Sequence, residues 1–184
     1  QLKFIPQSIE DVILIEPTIH GDDRGYFVET FRQDLFEEAN GHKVNFVQEN
    51  ESKSSYGVLR GLHFQKSPCA QSKLVRVIEG EVLDVAVDLR KKSETFGEFI
   101  AIKLSGVNKK QLFIPKGFAH GYVVLSEFAT FSYKVDEYYN PDEEGGIKFN
   151  DDLLSIDWII PNEDIILSSK DKDNCSISTS YYFD

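Results

Sequence analysis

Methionine is absent from the 184 residues, and cysteine occurs only twice. Cys69 and Cys175 lie far apart in the chain. That leaves room for at most one bridge, and it excludes both a disulfide framework and a cysteine-spaced zinc site. A reducing, cytoplasmic home is the expectation. No apolar run approaches the roughly 20 residues of a membrane-spanning helix. The opening QLKFIPQSIEDV lacks the charged segment and apolar stretch of a secretory signal. Basic residues are also scarce: Lys and Arg total 20 against 31 Asp and Glu, a formal charge of −11. Such a surface repels phosphate backbones and argues against general nucleic-acid binding. A small anionic ligand is still admissible where a few Lys and Arg converge. The chain has no internal repeat, no linker and no glycine-rich phosphate loop after a strand.

What is present describes one soluble domain with a real core, 41% hydrophobic and 28% charged. Short strand-like segments dominate: 9–17, 26–31, 98–105, 121–126 and 129–139, while 44–55 starts as a strand and becomes polar. Residues 73–89 read as two strands joined in a hairpin at Glu79-Gly80. A short helix is expected over 32–41, stopped at Asn40-Gly41, and another near 162–172. Many short strands bounded by turns indicate an all-β sandwich or barrel.

GVLRGLHFQ, residues 57–65, carries a conflict. Arg60 and His63 lie three apart on an apolar strand, so alternation points them to opposite faces. Gly61 between them offers a way out, because an interior glycine often marks a bulge and a one-residue slip exchanges the faces. Irregular pairing near Gly61, with His63 facing inward, is the expectation.

Of the four histidines, His20 and His42 fall in turns, whereas His63 and His120 fall among strands. His63 is followed by Phe64 and Gln65, so the His-x-His pair common in metal-binding barrels is broken and a metal is not expected. A neutral His is the natural general base at physiological pH. Inversion of a stereocentre also needs an acid on the opposite side. Tyr133 has the chemistry, but taken alone it reads as one of 8 tyrosines that pack. Lys73 could stabilise an oxyanion or simply snorkel at a strand edge.

Longer stretches carry a resemblance. DDRGYFVETF (22–31), FVQENESKSSYGVLRGLHFQ (46–65), AQSKLVRVIEGEVLDVAVDLRKKSETFG (70–97), FIPKGFAHGYVVLS (113–126), YKVDEYYNPDEEGGI (133–147) and LSSKD (167–171) follow one another in family order. Together they make the chain resemble the dTDP-4-dehydrorhamnose 3,5-epimerases, cupin-type enzymes of deoxysugar nucleotide synthesis. The resemblance implies a cupin-like jelly-roll barrel, a homodimer, no cofactor, and a dTDP-4-keto-6-deoxyhexose substrate inverted at C3 and C5. It implies that His63 is the base, Tyr133 the acid, Asp171 the carboxylate that orients His63, and Lys73 the group near the C4 oxygen. It assigns Arg24, Glu29, Gln48, Asn50, Arg60, His120, Glu144 and Lys170 to substrate binding, with Arg60 at the diphosphate. Strand alternation from Tyr133 selects Tyr139 over Tyr138 for stacking on thymine. Loop 67–72, with Cys69 and Ser72, and the tail after Asp171 depart from the family pattern. Relatives that epimerise a single carbon, and a non-catalytic sugar-nucleotide-binding cupin, are the alternatives.

Overall fold

The computed structural model describes residues 1–184. Thirteen strands and two α-helices follow in the order β1 (Leu2–Pro6), β2 (Ile13–Pro17), β3 (Ile19–Asp22), β4 (Gly25–Val28), α1 (Gln33–Asn40), β5 (Gln48–Ser55), β6 (Leu59–Gln65), β7 (Lys73–Glu79) and β8 (Glu81–Asp88). They continue with β9 (Phe99–Ser105), β10 (Gln111–Ile114), β11 (Phe118–Val124), β12 (Phe128–Val135), β13 (Glu144–Gly146) and α2 (Ser169–Lys172). One antiparallel sheet has the order β1-β2-β10-β7-β12-β5 and a second the order β13-β6-β11-β8-β9. β3 and β4 form a separate hairpin. This is the jelly-roll barrel expected, with helices only at its edges. No helix is long and apolar enough to cross a membrane.

Alternation decides what each strand shows to the space between the sheets. On β7 and β12, Val75, Val77, Ala129 and Phe131 face that space, where they meet Val82, Ala86, Phe118 and Tyr122 of β8 and β11. Lys73 and Tyr133 share the parity of their inward neighbours and therefore also point in. The other face of the second sheet is covered too. Leu83, Val85, Val87, Ala119 and Val123 pack there against Trp158, Ile177 and Phe183 of the C-terminal segment. Burial on both faces explains why β8 reads as a nearly unbroken apolar run.

Several expected elements change. Residues 73–89 do form two strands, but not a hairpin: β7 pairs with β10 and β12, and β8 pairs with β11 and β9. Gly80, at φ 88°, turns the chain from one sheet to the other, with Phe128 backbone too close to admit a Cβ. The two strands thus lie in facing sheets and bury Val75, Val77 and Val82 in one cluster. β12 ends at Val135, short of Tyr139. The helix expected near 162–172 is two pieces, a 3-10 turn at Asn162–Asp164 and the four-residue α2. A bridge between Val58 and Ile166 separates them. α1 lies where expected, and the Gly41 N–H closes it on the Glu37 carbonyl at 2.9 Å. Cys69 and Cys175 are both free thiols.

Candidate active site

The two sheets enclose a cavity of about 560 Å³ at one end of the barrel. Its wall includes Arg60, His63 and His120 from the second sheet, and Asn50, Lys73 and Tyr133 from the first. Lys170 and Asp171 close it from α2. Eight residues expected at a site from the sequence thus line one space.

Arg60 and His63 reach that space because the strand changes parity between them. Before Gly61, Leu59 packs outward against the C-terminal segment; after it, Leu62 and Phe64 do. Two residues of β6, Gly61 and Leu62, oppose one of β11, Gly121: Arg60 lies across from Tyr122, and His63 across from His120. Gly61 has φ 126°, a region that favours glycine. A Cβ there would lie 2.6 Å from the Gly121 Cα and 2.7 Å from the His120 carbonyl oxygen. The bulge anticipated from the sequence is present, and it puts the cation and the imidazole on one side.

His63 Nε2 hydrogen-bonds to Asp171 Oδ1. The carboxylate is buried, and its second oxygen accepts from the Gly61 N–H at 3.2 Å. Ser168 caps α2 by accepting the Asp171 N–H at 3.1 Å, which sets the carboxylate's direction. Burial opposes ionisation of Asp171. The His63 hydrogen bond and charge, helped by the Gly61 N–H, nevertheless hold its pKa below the usual carboxylate value. With Nε2–H donated to the carboxylate, Nδ1 is the nitrogen left to accept a proton.

Across the cavity, the Lys73 Nζ lies 5.8 Å from the Tyr133 ring centroid. Burial lowers the Lys73 pKa to about 8, and the carboxylates of Asp84 and Glu144 oppose that shift. Asp84 was not picked out from the sequence, although a carboxylate inside the apolar run VLDVAV was a signal. Its Oδ1 bonds His120 Nε2 at 2.7 Å, and its Oδ2 is buried without a hydrogen-bond partner. Burial drives the Asp84 pKa up and the His120 pKa down, each opposed by its partner. Tyr122 was also missed, since a tyrosine in a strand has no distinguishing pattern. It lines the cavity, stacks on Phe131 at 4.0 Å between centroids, and hydrogen-bonds to Ser52 Oγ at 2.8 Å.

The remaining expected residues lie elsewhere. Gln48, Tyr139 and Glu144 form a connected group at the mouth. Tyr139 Oη donates to Glu144 Oε2 at 2.8 Å, and Lys170 pairs with the other Glu144 oxygen. Gln48 accepts the Tyr139 N–H at 3.0 Å and donates to Asn50 Oδ1 at 3.0 Å. These bonds, rather than strand alternation, place Tyr139, because the strand has ended four residues earlier. Arg24 and Glu29 do not reach the cavity. Arg24 sits at the tip of the β3–β4 hairpin, paired with Asp22 and 90% exposed in its side chain. Glu29 follows β4.

The arrangement can do specific chemistry. An imidazole backed by a buried carboxylate shares one cavity with a phenol, an ammonium and a guanidinium. A profile of the dTDP-4-dehydrorhamnose 3,5-epimerases matches residues 6–179. A Shigella flexneri dTDP-4-dehydrorhamnose 3,5-epimerase is 50% identical over 182 residues, covering 99% of each chain. The crystal structure of the Elizabethkingia anophelis enzyme of that name superposes with a TM-score of 0.94 at 54% identity, over 98% of this chain and 99% of that one. A Legionella pneumophila 3,5-epimerase in complex with dTDP-4-keto-L-rhamnose gives 0.93 at 47% identity, over 97% and 94%. Barrel, cavity and sequence agree, and the chain belongs to the dTDP-4-dehydrorhamnose 3,5-epimerase family.

Proposed function

We propose that this cavity inverts C3 and C5 of dTDP-4-dehydro-6-deoxy-D-glucose, with His63 as general base and Tyr133 as general acid. The observation that carries the reading is the placement of His63 on one sheet and of Tyr133 and Lys73 on the other, around one cavity. Both carbons flank the C4 ketone, so their C–H bonds are acidic only when the enolate oxygen is stabilised. His63 Nδ1 takes the proton from one face, and the electron pair moves through the new C=C bond onto O4. The Lys73 ammonium donates to that oxygen, a contact worth most where the charge develops. Tyr133 Oη then gives a proton to the opposite face, and the C=O bond re-forms. Solvent takes the His63 proton and restores that of Tyr133. Each step moves only a proton, in keeping with the expectation of no cofactor. The product is dTDP-4-dehydro-L-rhamnose.

Arg60 and Lys170 suit the diphosphate, and Tyr139 suits the thymine, where stacking is worth about 1–3 kcal/mol per base. A homodimer accounts for the hairpin. Tyr26 and Phe27 on it are 63% and 71% exposed. A second copy would cover them and give Arg24 and Glu29 a cavity to reach, that of the neighbour. Two free thiols fit the reducing compartment expected.

Proton NMR of the reaction in D2O tests the reading. One solvent deuterium at each of C3 and C5, with inversion at both, is the expected result. Exchange at one carbon alone would assign the chain to single-carbon epimerisation, and no exchange would leave only binding. Tyr133→Phe is expected to slow inversion about 100-fold while proton loss is less affected. An unchanged rate and product would remove Tyr133 as the acid. The ammonium makes a pH prediction as well. Lys73, with its pKa near 8, is charged below that value and discharged above it. Activity should therefore fall as pH rises through about 8. In Lys73→Arg, whose cation persists, the alkaline limb should move to higher pH. An alkaline limb that stays put in that variant would belong to another group.

A further inference from the structure

β5 is the strand that the barrel's apolar logic does not explain. Its exposed positions are Glu49, Glu51, Lys53 and Ser55, and its inward rank is Gln48, Asn50, Ser52 and Ser54. Not one inward residue is apolar, although the neighbouring β12 presents Ala129, Phe131 and Tyr133 to the same space. Each inward side chain on β5 instead holds another polar group. Gln48 holds the Tyr139 backbone and Asn50, and Ser52 holds the Tyr122 hydroxyl. Ser54 is the most deeply buried of the four, and it holds Arg60.

We infer that Ser54 is a positioning residue that presents Arg60 to the diphosphate of the substrate. The inference rests on the reading of Arg60 as the diphosphate contact. Arg60 Nε and Nη2 donate to Ser54 Oγ at 3.1 and 3.0 Å. A hydroxyl oxygen has two acceptor sites, and this one guanidinium edge fills both. Two of its five N–H donors are thereby used. The opposite edge, with both Nη1 donors and the second Nη2 donor, stays free for two parallel bonds to phosphate oxygens. The anchor is also neutral. Three other arginines of the chain are held by carboxylates: Arg24 by Asp22, Arg32 by Asp34, and Arg90 by Asp11 and Asp88. Arg60 has no carboxylate partner, so its full charge is available to an anion. A hydroxyl fixes the fork without cancelling the field that the fork is there to exert.

Calorimetric titration with dTDP, paired with steady-state kinetics, tests this on four variants. Arg60→Ala should weaken dTDP binding steeply. Ser54→Ala should raise the dTDP Kd and the substrate KM on the order of ten-fold, with kcat kept within about two-fold because the base and acid are untouched. Ser54→Thr, which keeps the hydroxyl, should restore most of the affinity. In Arg60→Ala, adding Ser54→Ala should change the Kd little further, since Ser54 acts through Arg60. A full additional loss in the double variant would show a general structural role and overturn the proposal. So would wild-type affinity in Ser54→Ala beside a weakened Arg60→Ala. Unaltered affinity in Arg60→Ala would overturn the diphosphate reading itself, and with it the role assigned to Ser54.

Discussion

His63→Ala is expected to abolish solvent-deuterium incorporation at both C3 and C5, with turnover reduced by about 10²–10⁴-fold, the range of general acid–base contributions. One base serves both carbons in this reading. The cavity offers one other imidazole, His120, and its Nε2 is already committed to Asp84. Burial also depresses the basicity of His120. Loss at C3 with retention at C5 would therefore require a second base and break the mechanism. Asp171→Ala should lower the rate as well, by releasing the ring from its tautomer. That effect should vanish when His63 is already Ala, because the carboxylate works only through the imidazole. Full additivity of the two losses would give Asp171 a separate job.

The second large effect falls on a residue with no side chain. Gly61→Ala should destabilise the fold by on the order of 3 kcal/mol or more, combining a backbone region that disfavours side chains with a direct clash. The new methyl would meet the backbone of Gly121 and His120, not a flexible side-chain end. Relief requires β6 and β11 to separate, and these strands carry Arg60, His63 and His120. Any variant that does fold should have lost affinity and turnover together. Urea denaturation followed alongside activity would check this. Wild-type stability with wild-type rates would mean that the strands can part at little cost and that the bulge does not set the site.

That bulge was legible, because an Arg and a His three apart on an apolar strand cannot both serve one site without it. So was α1, which is bounded by a glycine. The corner at Gly80 was not. A glycine between two alternating apolar segments looks the same in a hairpin as in a crossing from one sheet to another, and only the pairing partners separate the two cases. β5 faded from view for a different reason. Its inward rank is polar, so the alternation that reveals a strand is missing where side chains hold other polar groups rather than core. Tyr139 was selected by extending a strand past its end at Val135. Its position comes from Gln48 and Glu144, which local pattern cannot connect to it. Asp171 sits on a helix of four residues, too short for any periodicity, and only the family resemblance pointed to it.

His63 and Asp171 are 108 positions apart, and that separation bears on how the enzyme comes into being. Every strand of both sheets is already encoded by Gly146, whereas the carboxylate comes later, with Trp158, Ile177 and Phe183 that cover the second sheet. A growing chain at that stage has its phenol, its ammonium and its imidazole, but nothing to orient the ring. In the mechanism proposed above, catalytic competence arrives with one of the last turns of backbone to be made, when α2 docks beside β6. A single proteolytic cut before α2 would remove the Asp171 carboxylate together with Ile177 and Phe183, and so would cost the second sheet its outer cover as well as the imidazole its partner.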